Sequence, residues 1–301
     1  MKVVVQPNEG IAPLLTAVKR AKRTLDIVIF RFDLEELEEA LAAAVKRGVV
    51  VRALIAHTNK GGEGSLRKLE QRMLKEGVTV CRTDDDMVRY HGKLMIVDGR
   101  AAYVLGFNFT SADLKSRSFG VIVKSRRIVK ELARLFESDA NRTDYTPRVR
   151  DLVISPENAR SRLESFLRKA RVSLDIYDPN ASDDGMLALL AKKAARGVRI
   201  RILGSLEKKW AKSGFYARAY PGKRLHVRAI VRDGRRLFIG SQSLRKLELD
   251  HRREVGVIIR ERKLVKQVER IFKAEWKQAT QGKEKGKEGK GNGKENGKEE
   301  E

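Results

Sequence analysis

The sequence contains two short stretches that share one frame, His91-Gly92-Lys93-Leu94-Met95-Ile96-Val97-Asp98 and His226-Val227-Arg228-Ala229-Ile230-Val231-Arg232-Asp233. In each stretch a cation stands two positions after the histidine, and an aspartate stands seven positions after it. With this composition, such a frame follows a given histidine by chance roughly once in ninety cases. Two frames among four histidines therefore indicate a duplicated functional element.

The whole chain reads as a diverged tandem repeat. Leu25–Ile27 recurs 149 residues later as Leu174–Ile176, whereas His91 recurs 135 residues later as His226. The change of offset predicts a deletion of about 14 residues in the second copy, between Gly197 and His226. A repeat of this length is a duplicated domain, because solenoid units have periods of roughly 20 to 50 residues. Each half would supply one histidine to a single site at a pseudo-twofold interface.

Helical and strand patterns alternate within each half. Asp33 and Glu36 are spaced as a capping box, and helical spacing follows until Gly48. Near-continuous apolar segments, such as Leu25–Phe30 and Leu94–Val97, are typical of strands covered on both faces. We therefore predict an α/β fold with two pseudo-symmetric α/β sandwich domains. Their expected bounds are 1–145 and 146–281, followed by a disordered tail, 282–301, that contains only Gly, Lys, Glu and Asn.

The formal net charge of the chain is +25, and the tail does not contribute to it because its lysines and glutamates balance. Such an excess predicts attraction to an anionic membrane surface, a phospholipid or a nucleic acid. The single cysteine, Cys81, excludes a disulfide framework. The sequence shows neither a signal-peptide pattern nor an apolar run long enough to span a membrane. We expect a cytoplasmic monomer, with peripheral membrane contact as an option.

The residue types in the two frames suit chemistry on a phosphodiester. One neutral histidine can attack phosphorus, and a second, protonated histidine can donate to the leaving oxygen. Lys93 and Arg228 would neutralise the phosphoryl oxygens, while Asn108 and Ser243 would donate hydrogen bonds to them. The one acidic cluster, Asp84–Asp86, is more typical of a solvated loop than of a metal site. No metal or other cofactor is expected.

The paired frames, together with the segments that follow them, resemble the phospholipase D superfamily. The supporting segments are Asn108–Thr110, Ser116–Gly120, Gly240–Arg245 and Arg252–Gly256, and the similarity covers about residues 3 to 279. The resemblance implies hydrolysis of phosphodiesters or phosphatidyl transfer, without a metal. Within this family the chain is most similar to cardiolipin-synthase-like proteins.

The resemblance also implies roles for individual residues. The implied catalytic residues are His91, Lys93, Asp98, Asn108, His226, Arg228, Asp233 and Glu254. The implied substrate-binding residues are Lys93, Asn108, Ser118, Arg228, Ser241 and Ser243. Glu254 would orient His91 and Ser118 would orient His226, which makes His91 the expected nucleophile and His226 the expected proton donor.

Three functions remain open from the sequence. Arg228 replaces the lysine usual in this family, and Ser243 stands where the first copy has Asn108, so a noncatalytic phosphate-binding protein is one alternative. A nuclease is another, because the positive charge suits nucleic acid as well as lipid. The segment 206–224, in which aromatic residues alternate with cations, would form a substrate-facing rim or an ordinary loop.

Overall fold

The computed structural model describes residues 1–58 and 63–288. The first half contains, in order, β1 Lys2–Gln6, α1 Ala12–Arg20, β2 Thr24–Ile29, α2 Glu35–Lys46, β3 Val50–Ile55, α3 Glu63–Lys75, β4 Thr79–Arg82, β5 Arg89–Tyr90, β6 Leu94–Val97, β7 Ala101–Leu105, α4 Ser111–Leu114, β8 Ser118–Val123 and α5 Arg126–Asn141.

The second half repeats this order with fewer elements. It contains β9 Leu152–Ser155, α6 Ala159–Arg168, β10 Ser173–Ala181, α7 Asp184–Ala194, β11 Arg199–Leu206, β12 Tyr216–Arg218, β13 Arg228–Arg232, β14 Arg236–Gly240, α8 Lys246–Asp250, β15 Arg252–Ile259 and α9 Arg262–Glu288.

The two halves have the same sheet topology. The first sheet has the order β1-β8-β7-β6-β2-β3-β4, and the second has the order β9-β15-β14-β13-β10-β11-β12. Strand β5 of the first half pairs with the first two residues of β15, Arg252 and Arg253. In both sheets the strand after the histidine runs antiparallel to the second strand of its half, with Leu25 opposite Val97 and Leu174 opposite Arg232. The predicted duplication is therefore confirmed strand by strand.

Three apolar clusters show how the layers pack. Helices α1, α2 and α3 cover the outer face of the first sheet, and α6 and α7 cover the outer face of the second. The inner faces of both sheets share one central cluster with α5 and α9. There Tyr177 packs edge-on against Phe119 of the first half, with ring centroids 5.7 Å apart. The predicted α/β sandwich is confirmed, and its two halves share a core.

The missing residues of the second copy correspond to one helix. The first half places α3, Glu63–Lys75, between β3 and β4. The second half connects β11 to β12 with a 3-10 turn, Lys208–Trp210, instead. The predicted deletion therefore removes a surface helix without altering the order of the strands.

Two details of the predicted elements are wrong. Helix α2 has no side-chain cap, because the Asp33 carboxylate accepts a hydrogen bond from the Ser111 backbone N–H at 2.7 Å instead. Helix α9 continues to Glu288, past the expected start of the tail at Gly282. Lysine and glutamate have high helix propensity, which sustains the helix between the glycines. The expected disorder of 289–301 lies outside the described residues.

The aspartates of the two frames close a loop at the far end of their strands. Asp98 adopts a left-handed conformation, with φ of 52°. Its carboxylate accepts hydrogen bonds from the backbone N–H groups of Lys22, Arg23 and Thr24 at 2.7 to 3.1 Å. Burial acts to raise the pKa of Asp98, but these amide bonds outweigh it and lower the pKa. Asp233 makes the same contacts in the second half, with the segment 171–173.

These contacts predict a stabilising role for Asp98. We expect Asp98→Asn to lower the free energy of unfolding at pH 7 by about 1–3 kcal/mol, because charge-assisted hydrogen bonds become neutral ones. A carboxylate with a lowered folded-state pKa stabilises the fold above its unfolded pKa, and that contribution disappears as the pH falls through the folded pKa. Urea unfolding should therefore show a difference at pH 7 that narrows as the pH falls below about 4. Glu39→Gln, at an exposed position, is the matched control. Equal stability of Asp98→Asn and the wild type at pH 7 would contradict this role.

Candidate active site

Each histidine is held by a strand of the other half. The His91 backbone N–H donates to the Arg253 carbonyl at 2.8 Å, where β5 pairs with β15. The His226 backbone N–H donates to the Arg117 carbonyl at 2.9 Å, just before β8. The two bonds occupy equivalent positions in the repeat. Both imidazoles are therefore brought to the interface of the halves, as the sequence predicts.

The two arginines that accept these bonds are themselves anchored by buried carboxylates. Arg253 Nε lies 3.1 Å from Asp139 Oδ1 on α5, and Arg117 Nε lies 2.7 Å from Glu275 Oε1 on α9. In each pair the carboxylate belongs to the half that carries the histidine, and the arginine belongs to the opposite half. Neither pair was predicted from the sequence, although Asp139 and Glu275 occur at the same 136-residue offset as other repeated residues.

The His91 imidazole is fixed by Glu254. Its Nδ1 lies 2.8 and 2.9 Å from the two carboxylate oxygens, and Glu254 is fully buried. Because a carboxylate accepts, Nδ1 carries the proton and Nε2 is left unprotonated. Burial raises the pKa of Glu254. The contact expected between these two residues is present, and Nε2 is available to react.

The His226 imidazole has a different partner from the one expected. Its Nδ1 lies 3.1 Å from Asp113 Oδ2, on α4 of the first half. Ser118 Oγ instead lies 3.5 Å from the backbone carbonyl of His226. The predicted support of the ring by Ser118 is wrong, since the serine side chain approaches the backbone rather than the imidazole. The sequence signal for Asp113 is its equivalence to Glu248, a buried carboxylate 135 residues later.

Asp113 and Glu248 hold the turns that follow the two frames. The backbone N–H of Asn108 donates to Asp113 at 2.7 Å, and that of Ser243 donates to Glu248 at 2.6 Å. Asn108 Nδ2 also donates to Asp113, at 2.7 Å. Ser243 Oγ accepts from Arg228 Nε at 3.2 Å. One amide hydrogen of Asn108 and the hydroxyl hydrogen of Ser243 are left over for a ligand.

Lys93 and Arg228 each affect the pKa values of both histidines. Lys93 Nζ donates to the His91 carbonyl at 2.5 Å, and Arg228 Nη1 donates to the His226 carbonyl at 3.2 Å. Both cations are buried, and each is close enough to both imidazoles to lower their pKa values. The four side chains therefore form one cluster at the interface.

Burial is the main cause of the altered protonation in this cluster. Burial, with the charges of Lys93 and Arg228, lowers the pKa of His91 well below its usual value. Burial lowers the pKa of His226 to about 4, although Asp113 opposes the shift. Burial also lowers the pKa of Lys93 to about 7. Both imidazoles are therefore neutral at pH 7 when no anion is bound.

Three of the predicted site residues lie outside this cluster or have another contact. Asp98 and Asp233 bind backbone amides at the ends of β6 and β13 that are remote from the histidines, so we reassign them from catalysis to the stability of the fold. Ser241 Oγ accepts from the Val255 backbone N–H at 3.2 Å, and its hydroxyl helps to keep Glu254 charged. We therefore reassign Ser241 from substrate binding to support of Glu254.

The segment 206–224 is divided between the core and the surface. Phe215 is buried in the core of the second half, whereas Tyr216 is 64% exposed on the edge strand β12. Arg218 stacks over the Trp276 ring, with its guanidinium carbon 4.4 Å from the ring centroid. Phe215 is therefore part of the core and not of a substrate-facing rim. For Tyr216, the rim and the ordinary loop both remain possible.

The structure bears on metal binding and on membrane insertion for residues 1–58 and 63–288. Within these ranges, no group of three or more His, Cys, Asp or Glu side chains is arranged to hold a metal ion. Across the same part of the chain, every helix is too short or too polar to cross a membrane.

Known proteins share both the sequence pattern and the fold. The family model described as "Cardiolipin synthase, PLD-like domain" matches residues 14–140 and 163–276. The mitochondrial cardiolipin hydrolase of Danio rerio is 31% identical over 130 residues, which are 42% of this chain and 53% of the hydrolase. The match thus spans about half the length of the curated relatives.

Two solved structures resemble most of the chain in fold. The phosphatidylserine synthase of Haemophilus influenzae has a TM-score of 0.72 and 11% identity, covering 92% of this chain and 86% of the synthase. The polyphosphate kinase of Porphyromonas gingivalis has a TM-score of 0.75 and 15% identity, covering 90% of this chain and 46% of the kinase. Because the family model matches most of the chain, in one segment from each repeat, the protein belongs to the phospholipase D-like family described as "Cardiolipin synthase, PLD-like domain".

Proposed function

We propose that the protein is a metal-independent phosphodiesterase or phosphatidyltransferase that acts on phospholipids through a phosphohistidine at His91. One observation carries the proposal: a buried, neutral imidazole has its Nδ1 on Glu254, which leaves Nε2 free beside Lys93 and Arg228. A nucleophilic nitrogen next to two cations suits attack on an anionic phosphorus centre.

The first step would form the phosphoenzyme. His91 Nε2 attacks phosphorus, the bond from phosphorus to the leaving alcohol breaks, and His226 donates a proton to the leaving oxygen. The lowered pKa of His226 is raised again when the substrate binds, because the phosphate neutralises Lys93 and Arg228. Asp113, 3.1 Å from the His226 ring, would stabilise the protonated form.

The second step would regenerate the enzyme. His226, now neutral, removes a proton from water or from an acceptor alcohol, and that oxygen attacks phosphorus. The bond from phosphorus to His91 Nε2 breaks and the nitrogen recovers its lone pair. Water as the acceptor gives hydrolysis, and an alcohol gives phosphatidyl transfer.

The two carboxylates support His91 as the nucleophile. Glu254 contacts His91 with both oxygens, and burial raises its pKa, so it is a strong acceptor for the Nδ1 proton. Asp113 is shared among His226, Asn108 and Arg224, the last at 2.7 Å. Burial acts to raise the pKa of Asp113, but these contacts outweigh it and lower the pKa, which makes Asp113 the weaker base.

A phospholipid substrate is supported by charge and by relatives. The net charge of +25 favours an anionic surface. The family model is described as cardiolipin synthase, and the matching curated relatives are named mitochondrial cardiolipin hydrolase. Peripheral contact with an anionic membrane follows from the same charge. The nuclease alternative shares the charge argument, and a substrate panel distinguishes the two.

The substrate panel is the direct test. With EDTA present, we expect cleavage of cardiolipin or phosphatidylglycerol in mixed vesicles, because imidazoles and cations perform every proposed step. We expect no cleavage of single-stranded or duplex DNA. Product analysis by mass spectrometry, with and without added glycerol, separates hydrolysis from transfer. His91→Ala is the inactive control. Activity that disappears on chelation and returns with Mg²⁺ would contradict the mechanism, and cleavage of DNA alone would contradict the lipid substrate.

Phosphohistidine trapping tests the assignment of His91. His91→Ala should abolish the acid-labile phosphoenzyme, because the proposed attacking nitrogen is removed. His226→Ala should still form it slowly from a p-nitrophenyl ester, whose leaving group needs no proton. Glu254→Gln should slow its formation by about 10- to 100-fold, by analogy with supporting partners of metal-bound histidines. Glu39→Gln should behave as the wild type. A label mapped to His226 in the wild-type protein would reverse the assignment.

The protonation of Lys93 predicts the pH dependence of substrate binding. Because burial lowers the Lys93 pKa to about 7, the free enzyme loses this charge as the pH rises through 7. We expect KM for a soluble phosphodiester to rise above pH 7, by up to about tenfold per pH unit if only the charged form binds. Lys93→Arg keeps its charge and should remove the rise. KM values that change in parallel with pH in both proteins would exclude Lys93 as the titrating group.

A further inference from the structure

A second cationic site lies at the opposite end of the second sheet from the histidines. It is a cleft of about 260 Å³ between α6, the turn that joins β13 to β14, and the end of β15. Strand β13 begins at Arg228, in the catalytic cluster, and ends at Arg232, in the cleft. Four residues of strand separate the two by about 13 Å. The cleft is therefore distinct from the catalytic site.

The cleft concentrates positive charge. Its cationic lining residues are Arg150, Arg162, Lys169, Arg232, Arg236 and Arg260. The one carboxylate in the lining, Asp151, is already paired with Arg260 at 2.7 Å and with Arg127 at 3.6 Å. The neighbouring Asp233 is occupied by backbone amides. Among the described residues, no ion pair forms to the other five cations of the lining.

Two of the cations are placed directly against each other. Arg232 and Arg236 are opposite residues on the antiparallel strands β13 and β14. Like charges in such a pair destabilise a sheet. Burial, together with the charges of Arg236 and Arg260, lowers the pKa of Arg232. The fold therefore bears an unfavourable pair that a bound anion would relieve.

The first half of the chain provides an internal comparison. At the positions of Arg232 and Arg236 it has Val97 and Ala101, which form the equivalent cross-strand pair. At the position of Arg162 it has Pro13. The same fold is thus built without these cations, so the arginine cluster is not needed for the hairpin. The cross-strand arginine pair and Arg162 are features of the second repeat alone.

We propose that this cleft is a noncatalytic binding site for a phosphate group, contributed by an anionic lipid headgroup or by a free oligophosphate. Planar guanidinium groups bind phosphate oxygens through paired hydrogen bonds, and several arginines here converge on one space. The volume of about 260 Å³ is below the roughly 300–1,000 Å³ of pockets for drug-sized ligands, so it suits a headgroup rather than an acyl chain. The proposal does not depend on the proposed catalytic function.

The test replaces the arginine pair with the residues of the first repeat. Pyrophosphate binding is measured by titration calorimetry, and vesicle binding by co-sedimentation with phosphatidylglycerol–phosphatidylcholine or pure phosphatidylcholine vesicles. The variant Arg232→Val/Arg236→Ala should bind the anionic probe at least ~10-fold more weakly than the wild type, since two guanidinium groups that can donate to phosphate oxygens are lost. Lys192→Gln/Arg196→Gln removes the same charge from an exposed part of α7 and the loop after it, and should bind as the wild type.

Each outcome decides the proposal. A loss confined to pyrophosphate identifies a free oligophosphate as the ligand, and a loss confined to phosphatidylglycerol vesicles identifies a headgroup. Unchanged binding in the cleft variant, or an equal loss in the α7 control, would overturn the proposal. A single-stranded oligonucleotide is titrated as a third probe, and a loss of binding to that probe alone would overturn the proposal in favour of nucleic acid. Thermal unfolding checks that the cleft variant is folded, and Arg162→Gln/Lys169→Gln replaces it if it fails to fold.

Discussion

The cluster of His91, His226, Lys93 and Arg228 depends on two backbone hydrogen bonds that cross between the halves. His91 and His226 each donate their N–H to a carbonyl of the opposite half, at Arg253 and Arg117. Arg253 is followed in β15 by Glu254, and Arg117 is followed by Ser118, the first residue of β8. The strand that binds each histidine backbone therefore also carries a side chain that contacts that histidine. Neither half can build its part of the site without the other, and this explains why the two sheets share one apolar core.

Burial of the four side chains at the interface has an electrostatic cost, which neighbouring carboxylates offset. Burying two imidazoles and two cations would be unfavourable unless hydrogen bonds and opposite charges surround them. Glu254, Asp113 and Glu248 supply that charge, and the imidazoles respond by remaining neutral. The cluster is thus stabilised by carboxylates from both halves of the chain.

The two repeats have diverged in ways that separate their roles. At one position of the site the second repeat has Glu254 where the first has Ser118, and the carboxylate beside the second histidine is Asp113 of α4. Away from the site, the second repeat lacks the helix α3 and has gained a pair of arginines at the far end of its sheet. The strand order is unchanged throughout. Duplication therefore preserved the geometry of the interface while the surfaces evolved independently.

The sequence by itself determined the duplication, the α/β sandwich, the position of the deletion, and the pairing of His91 with Glu254. The first three follow from periodicity and from residues that recur at fixed offsets, whereas the pairing of His91 with Glu254 follows from the resemblance to the phospholipase D superfamily. Only the tertiary structure decided that Asp113 is the partner of His226 and that the frame aspartates bind loop amides. It also decided that α9 runs to Glu288 and that Asp33 holds a distant turn. Such contacts join residues far apart in sequence, and which of several buried carboxylates reaches an imidazole depends on packing that no local pattern encodes.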